Sequence, residues 1–233
     1  MADPKVIPLH LADVSFPQGH PQAGGSGPVL GFAIRHDAGI LLFDTGVGTG
    51  HPEVEQYYRP RVTPLEDALR ARGLSIGDVT AVANSHLHFD HCGGNRLFPG
   101  LPAYVQAAEL RAASEPDYTV PEWVGFGQVE FVELDGDRET EVAPGIVLLP
   151  TPGHTAGHQS LVIATAAGPM VVAGQAVYTA AEWSGSNDPA DSGVIGAPDV
   201  LAYTESARRL RRLNPARVHF AHDLETWERP SAE

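Results

Sequence analysis

The sequence SHLHFDH, residues 85–91, follows an apolar run that predicts a strand. It places three imidazoles and one carboxylate within six residues. Side chains at positions i and i+2 of an extended segment share a face, so His86 and His88 can converge on one metal ion. Asp90 and His91 lie where the chain turns before two glycines, and they can face a second ion. Imidazole and carboxylate groups are typical ligands of zinc and similar first-row ions.

Two more histidines follow predicted strands further along the chain. His154 lies in TPGHTAGHQS and His222 lies in VHFAHD, each at the end of an apolar run. Because both occupy the same place relative to their strands as residues 85–91, we expect all of these side chains to meet at one edge of the sheets. Strands outnumber helices, and the helices fall at intervals between them, so the pattern predicts two packed sheets covered by helices.

The element predictions around this centre are simpler. A capped helix is predicted over Thr63–Arg72, with Thr63 as its N-cap and Glu66 completing a capping box. The glycine- and proline-rich stretch Val14–Pro28 and the segment Ser184–Pro198 are predicted to be surface loops. With 233 residues and 42% apolar residues, we expect one domain that spans residues 1–233.

Composition excludes several classes of partner. The chain has 15 Lys+Arg against 29 Asp+Glu, a formal net charge of −14, so nucleic acid and anionic membrane surfaces are not expected partners. No apolar run approaches the roughly 20 residues of a membrane helix. Cys92 is the single cysteine, which rules out an intramolecular disulfide and favours a reducing compartment. The first residues show no basic region followed by an apolar core, so we expect no signal peptide and a cytoplasmic location.

The sequence resembles the metallo-β-lactamase superfamily, whose HxHxDH signature is matched in full by residues 86–91. The strand and turn LLFDTG, at Leu41–Gly46, is similar to the early acidic turn of that family. The resemblance implies an α/β fold, an αββα sandwich of the metallo-β-lactamase type, with two zinc ions at one edge. The ligands that it implies are His86, His88 and His154 for the first ion, and Asp90, His91 and His222 for the second.

Finer features resemble the N-acyl homoserine lactonase branch of that superfamily. They are Phe89 within HLHFDH and the segments TPGHTAGHQSLVI, GQAVYTAAEW and AHDLE. The resemblance implies a hydrolase that opens a lactone or ester ring by attack of a hydroxide held at the metals, as in quorum quenching. In this branch a tyrosine hydrogen-bonds the substrate carbonyl, and Tyr178 stands at that position. Asp90 would carry the proton to the leaving group.

Gln175 departs from the pattern, because the family places a bridging aspartate at this position. A glutamine offers one neutral oxygen and cannot bridge two ions as an anion. Two dications balanced by Asp90 and a hydroxide keep a formal charge of +2, where a further aspartate would leave +1. Gln175 therefore predicts a weaker second metal or a more Lewis-acidic pair, unless it only hydrogen-bonds the metal water.

Other residues are candidates for supporting roles. Asp44 is a candidate for the acceptor of a ligand's second N–H group, or else a turn residue that caps its own loop. Cys92 is expected to be a small buried residue. The candidates for an apolar groove that holds an acyl tail, each equally compatible with simple packing, are Phe16, Phe89, Trp123, Phe126 and Trp183.

Two alternatives to a lactonase stay open at this level. One is a lactone-binding protein whose catalysis is weakened by Gln175, and the other is a different small-ester or thioester hydrolase of the same fold. The substrate in each case is a small molecule. The lactonase branch includes homodimers, so a dimer is compatible with the sequence.

Overall fold

Two β-sheets pack face to face in a computed structural model that describes residues 3–18, 23–136, 138–185 and 197–230. The first sheet has seven strands in the order β4-β1-β2-β3-β5-β6-β7, and the second has six in the order β13-β12-β11-β10-β9-β8. The strands of the first sheet are β1 (Lys5–Ser15), β2 (Ser26–His36), β3 (Gly39–Phe43), β4 (Arg61–Val62), β5 (Val79–Ala83), β6 (Pro102–Gln106) and β7 (Glu130–Leu134). Those of the second are β8 (Thr140–Ala143), β9 (Ile146–Pro150), β10 (Gln159–Ile163), β11 (Met170–Val172), β12 (Arg217–Phe220) and β13 (Asp223–Glu228).

Helices cover the outer faces of both sheets. They are α1 (Pro52–Tyr57), α2 (Leu65–Arg70), α3 (Ala107–Ala112), α4 (Pro121–Val124), α5 (Ala180–Trp183) and α6 (Val200–Arg212). The longest, α6, begins where the Asp199 side chain accepts a hydrogen bond from Ala202 N–H at 2.9 Å. None of the helices in the described ranges is long and apolar enough to cross a membrane.

Alternation within the strands explains the layers. In β3, Leu41 and Phe43 face the second sheet, while Ile40 and Leu42 pack against α2 on the outside. Burial of each such side chain stabilises the fold by about 2 kcal/mol. The α/β sandwich predicted from the sequence, with helices outside two packed sheets, is therefore confirmed.

The strand directions place five loops at one edge. Strands β3, β5, β6 and β7 run parallel, so the loops that follow β3 and β5 leave the first sheet together. Strand β11 runs parallel to β12, and β10 is antiparallel to both β9 and β11. The loops after β9, β11 and β12 therefore leave the second sheet on one side.

Two element predictions were wrong at their ends. Pro64, not Thr63, is the N-cap of α2, and it makes no side-chain capping bond. Thr63 stays extended because its N–H donates to Leu11 C=O at 2.8 Å, beside the pairing of β4 with β1, and a residue before proline disfavours the α region. The ends of the predicted loop Val14–Pro28 belong to the paired strands β1 and β2. Most of Ser184–Pro198 lies outside the described residues.

Candidate metal centre

The candidate ligands and their supports come from the five loops at this edge. The loop after β3 carries Asp44, and the loop after β5 carries His86, His88, Asp90 and His91. In the second sheet, the loop after β9 carries His154, the loop after β11 carries Gln175, and the loop after β12 carries His222. Gly93 lets the first two loops approach, because a Cβ there would lie 2.0 Å from Gly48 N. Its N–H donates to Gly46 C=O at 2.7 Å, which ties these loops together.

Three imidazole nitrogens meet at one point. His86 Nε2 lies 3.0 Å from His88 Nδ1, and His154 Nε2 lies 3.2 Å from each of these two atoms. Nitrogen ligands 2.0–2.1 Å from a tetrahedral zinc ion would be about 3.3 Å apart. The spacing of this group, called site 1 below, therefore fits one such ion.

The imidazoles of site 1 are held in the neutral form that binds metals. Burial, together with the neighbouring imidazoles, keeps the pKa of His86 and of His154 well below the usual range. Burial likewise lowers the pKa of His88, to about 4, against the opposing effect of Asp90. No proton has to leave these residues when a cation binds near neutral pH.

A second group, called site 2, combines a carboxylate with two imidazoles. Asp90 Oδ2 lies 3.6 Å from both His91 Nε2 and His222 Nε2. His91 Nε2 is buried without a hydrogen-bond partner among the described residues. His222 gives its Nδ1–H to Pro28 C=O at 2.9 Å, which turns Nε2 toward Asp90. A cation between these three groups would satisfy the orphaned nitrogen, so the donor set fits a metal ion.

Asp44 supports site 2 from behind. Its carboxylate accepts hydrogen bonds from Ser85 N–H at 2.7 Å, from Ser85 Oγ–H at 2.8 Å and from His91 Nδ1–H at 2.9 Å. Burial alone would lower the pKa of His91, but the charges of Asp90 and Asp44 raise it to about 9. Asp44 also has a φ of 61°, in the left-handed region. Of the two roles considered for Asp44, the structure shows the hydrogen bond to a candidate ligand.

Gln175 and Tyr178 lie between the two groups. Gln175 Nε2 donates to Tyr178 Oη at 2.5 Å, while Gln175 Oε1 is buried and unpartnered among the described residues. The Tyr178 ring stacks on His222, with centroids 5.7 Å apart, and its hydroxyl oxygen is 3.4 Å from His154 Nδ1. The hydroxyl therefore borders both groups.

Sequence reasoning missed Glu109, a fully buried carboxylate beside site 1. It accepts hydrogen bonds from Leu87 N–H at 3.0 Å, from Thr155 Oγ–H at 2.8 Å and from the hydroxyl of Tyr118. Leu87 separates the first two histidines of the signature, and Thr155 follows His154. Glu109 thus joins the two loops that form site 1. Its only signal in the sequence is an acidic residue in an otherwise apolar helix start.

The predicted aromatic residues divide into two sets. Phe89 and Phe16 pack against a cluster that includes buried Trp123, and the ring of Phe89 lies 4.5 Å from that of Tyr58. Burial, with the charge of Asp90, raises the pKa of the half-buried Tyr58, and Phe89 directly precedes Asp90 in the chain.

The remaining aromatic candidates lie elsewhere. Trp183 packs on Trp227 in the layer outside the second sheet, and Phe126 is exposed against Phe131. Neither of them shares the cluster beside Asp90. Cys92 is buried as predicted, and burial raises the pKa of its thiol to about 12, so it is protonated at neutral pH.

Comparison with known proteins agrees with this geometry. The profile of the metallo-beta-lactamase superfamily matches residues 24–222. An N-acyl homoserine lactonase from Bacillus sp is 33% identical over 214 residues, which cover 85% of this chain and 82% of the relative. The N-acyl homoserine lactonase AttM of Azorhizobium caulinodans is 30% identical over 226 residues, covering 86% and 83%.

Solved structures give the same picture. A crystal structure of a B. thuringiensis AiiA variant with N-decanoyl-L-homoserine bound at the active site superposes with a TM-score of 0.79 at 26% identity, covering 96% of this chain and 95% of that one. AidC, a dizinc quorum-quenching lactonase in complex with a product, superposes with a TM-score of 0.72, covering 100% and 96%. At 15% identity the latter supports the shared fold alone.

Proposed function

Because this chain belongs to the metallo-beta-lactamase superfamily, we propose that it is a metal-dependent hydrolase that opens the lactone ring of N-acyl homoserine lactones. The observation that carries the proposal is the convergence of two metal-binding groups at one edge of the sandwich. The fold alone would not select this activity, since many reactions share it. The chain matches N-acyl homoserine lactonases over more than four fifths of their length, which supports this substrate class.

We propose two zinc ions as the cofactor. Site 1 would hold one ion through His86, His88 and His154, and site 2 would hold the other through Asp90, His91 and His222. Gln175 would add the oxygen Oε1, which is buried and unpartnered among the described residues. When bound, the ions would polarise the lactone carbonyl and lower the pKa of water toward neutrality.

The chain's own groups would then position and stabilise the reacting atoms. Tyr178, whose hydroxyl borders His154 and whose ring stacks on His222, would donate its hydroxyl proton to the carbonyl oxygen as negative charge develops there. Asp90, 9% exposed between two imidazoles, would carry a proton to the alkoxide that leaves when the ring opens. The half-buried rings of Tyr58 and Phe89 offer apolar surface beside Asp90 for the acyl tail.

One observation favours a second function. Gln175 provides no negative charge between the two groups, so a lactone-binding protein with weakened catalysis is the alternative. The proposed substrate or ligand is in both cases a small molecule, in keeping with the net charge of −14. We also propose a cytoplasmic location, which the free buried thiol of Cys92 supports. A homodimer stays a prediction.

The test combines metal analysis with turnover. Purified protein would be loaded with zinc, its metal content measured by elemental analysis, and proton release followed on short- and long-chain N-acyl homoserine lactones and on simple lactones. We expect two zinc ions per chain and proton release on the acylated substrates. Filled sites that bind lactone without releasing protons would contradict the hydrolase and support the binding protein.

A further inference from the structure

The two ends of the Gln175 amide have different surroundings. Its Nε2 lies 2.5 Å from Tyr178 Oη, whereas its Oε1 is buried without a hydrogen-bond partner among the described residues. The residue is 94% buried, because only 6% of its surface is exposed. Its backbone N–H donates to His158 Nε2 at 2.9 Å, which anchors the side chain from behind.

The charges in the site set the direction of this amide. A cation at site 2 attracts the carbonyl end of an amide dipole and repels the NH₂ end. Oε1 therefore belongs on the side of His91 and Asp90, and the NH₂ group belongs on the side of Tyr178. Gln175 can only donate to the tyrosine in this orientation, so the phenolic oxygen must accept.

A second donor reaches the same phenolic oxygen. His154 uses Nε2 to face site 1, so its proton is on Nδ1, which lies 3.4 Å from Tyr178 Oη. With donors on both sides, the hydroxyl proton of Tyr178 has no acceptor among the described residues. A glutamate in the same pose would accept that proton with the oxygen that replaces Nε2, because an ionised carboxylate has no donor of its own; the shorter, bridging aspartate of the family is a different case.

We propose that Gln175 is a positioning residue whose amide donates to Tyr178 and thereby keeps the tyrosine proton free for the carbonyl oxygen of the substrate. This inference rests on the proposed function and extends it. Compared with a carboxylate, the neutral amide lacks negative charge between the two metal sites but provides a hydrogen-bond donor to Tyr178. Metal affinity and turnover should therefore respond in opposite directions when a glutamate of the same length replaces this amide.

The isosteric variant Gln175→Glu separates the two effects. It keeps the length of the side chain, adds a negative charge beside site 2 and removes the NH₂ donor. We expect zinc at site 2 to bind about 10-fold more tightly, measured by competition with a chromophoric chelator. We expect kcat to fall about 100-fold with KM nearly unchanged, the size of loss that follows removal of one oxyanion donor.

Double-variant kinetics test the route of the effect. Tyr178→Phe should lower kcat as much as Gln175→Glu does, and the variant with both changes should be no slower than either alone. The matched controls are Gln128→Glu and Tyr57→Phe, which change exposed residues and should alter neither metal affinity nor kcat. Additive losses, or a faster Gln175→Glu enzyme, would overturn the proposal.

A spectroscopic measurement keeps this inference separate from the proposed function. In the zinc-loaded protein, the side-chain NH₂ signals of Gln175, identified by their loss in Gln175→Glu, should shift in ¹H–¹⁵N spectra of Tyr178→Phe. If the parent turns over no lactone, the proposed function fails, and this shift still decides whether the amide donates to the tyrosine. An unchanged NH₂ signal would refute the hydrogen bond itself.

Discussion

Site 1 and site 2 lie at the same edge of the sandwich but differ in the groups that form them. Site 1 consists of three neutral imidazoles, whose nitrogens already stand 3.0–3.2 Å apart. In site 2 one carboxylate stands 3.6 Å from each of two imidazoles. Site 1 therefore depends on the preformed spacing of its nitrogens, whereas site 2 depends on a carboxylate and on neighbouring residues that orient its imidazoles.

The supports differ in the same way. Glu109 hydrogen-bonds Leu87 and Thr155, the residues that follow two ligands of site 1, and thereby joins the loops that carry them. Asp44 hydrogen-bonds a candidate ligand of site 2 directly. Because Gln175 adds no charge, and because the atoms of site 2 are further apart, we expect site 2 to hold its ion more weakly than site 1.

Removal of a site 1 imidazole should abolish both metal binding at that site and turnover. His154→Ala deletes one of three converging ligands and the neighbour of the Tyr178 hydroxyl. We expect loss of one zinc ion per chain and turnover at the background rate, measured by elemental analysis and proton release. His10→Ala is the control, since His10 lies at the surface, where its Nε2 is 3.1 Å from Asp13 Oδ1. Full zinc content in His154→Ala would contradict the assignment.

Neutralising the support of site 2 should weaken that site alone. Asp44→Asn retains a side chain that tolerates the left-handed φ but removes the charge behind His91. The affinity of the weaker ion should fall about 10- to 100-fold while the tighter ion is unaffected. Chelator competition measures both constants, with exposed Asp67→Asn as the control. Equal weakening of both ions would show that the sites are not separable.

Neutralising Glu109, the support of site 1, should weaken metal binding at site 1 and leave site 2 unaffected. Glu109→Gln leaves one oxygen to accept where the carboxylate meets three donors, so the loops of site 1 lose part of their alignment. We expect the affinity of the tighter ion to fall about 10-fold, with the weaker ion unchanged in the same chelator competition. Glu115→Gln, at an exposed position, should leave both unchanged. A loss confined to the weaker ion would reverse our placement of Glu109.

Acid stability should distinguish release of metal from unfolding. Burial lowers the pKa of His219 from 6.5 to about 4, so the folded state resists its protonation and stability falls as the pH drops from 6.5 toward 4. By pH 5.5 this group should cost about 1 kcal/mol, measured by urea unfolding of metal-free protein. The buried imidazoles of site 1 add to the same acid limb, so His219→Gln should make it shallower by this amount without removing it or changing zinc content at pH 7. An acid limb as steep as the parent's would exclude a contribution from His219.

Local sequence features predicted the parts of the molecule that depend on a short pattern. The sequence predicts His86, His88, Asp90 and His91 as ligands because strand geometry and the following turn fix their directions within six residues. The order of many strands and few helices predicts the sandwich. Only the resemblance to known sequences indicates the lactonase branch.

The remaining features depend on contacts between distant segments. Glu109 hydrogen-bonds loop residues 22 and 46 positions away in the sequence, and the sequence of its own helix does not indicate these contacts. The pairing of Tyr58 with Phe89 arises from the meeting of separate loops. Val14–Pro28 looked like a loop because of its glycines and prolines, yet the pairing of Ser15 with Ser26 extends β1 and β2 into it. Long-range pairing overrides local propensity in such cases.

The most direct test of the central claim, that two sites of unequal strength share this edge, is a chelator titration of the fully zinc-loaded protein. We predict two ions per chain released in two resolved steps. The first should be the ion that Asp44→Asn weakens, and the second should be the ion that Glu109→Gln weakens. Release of two ions in a single step, or of only one ion in total, would contradict the account.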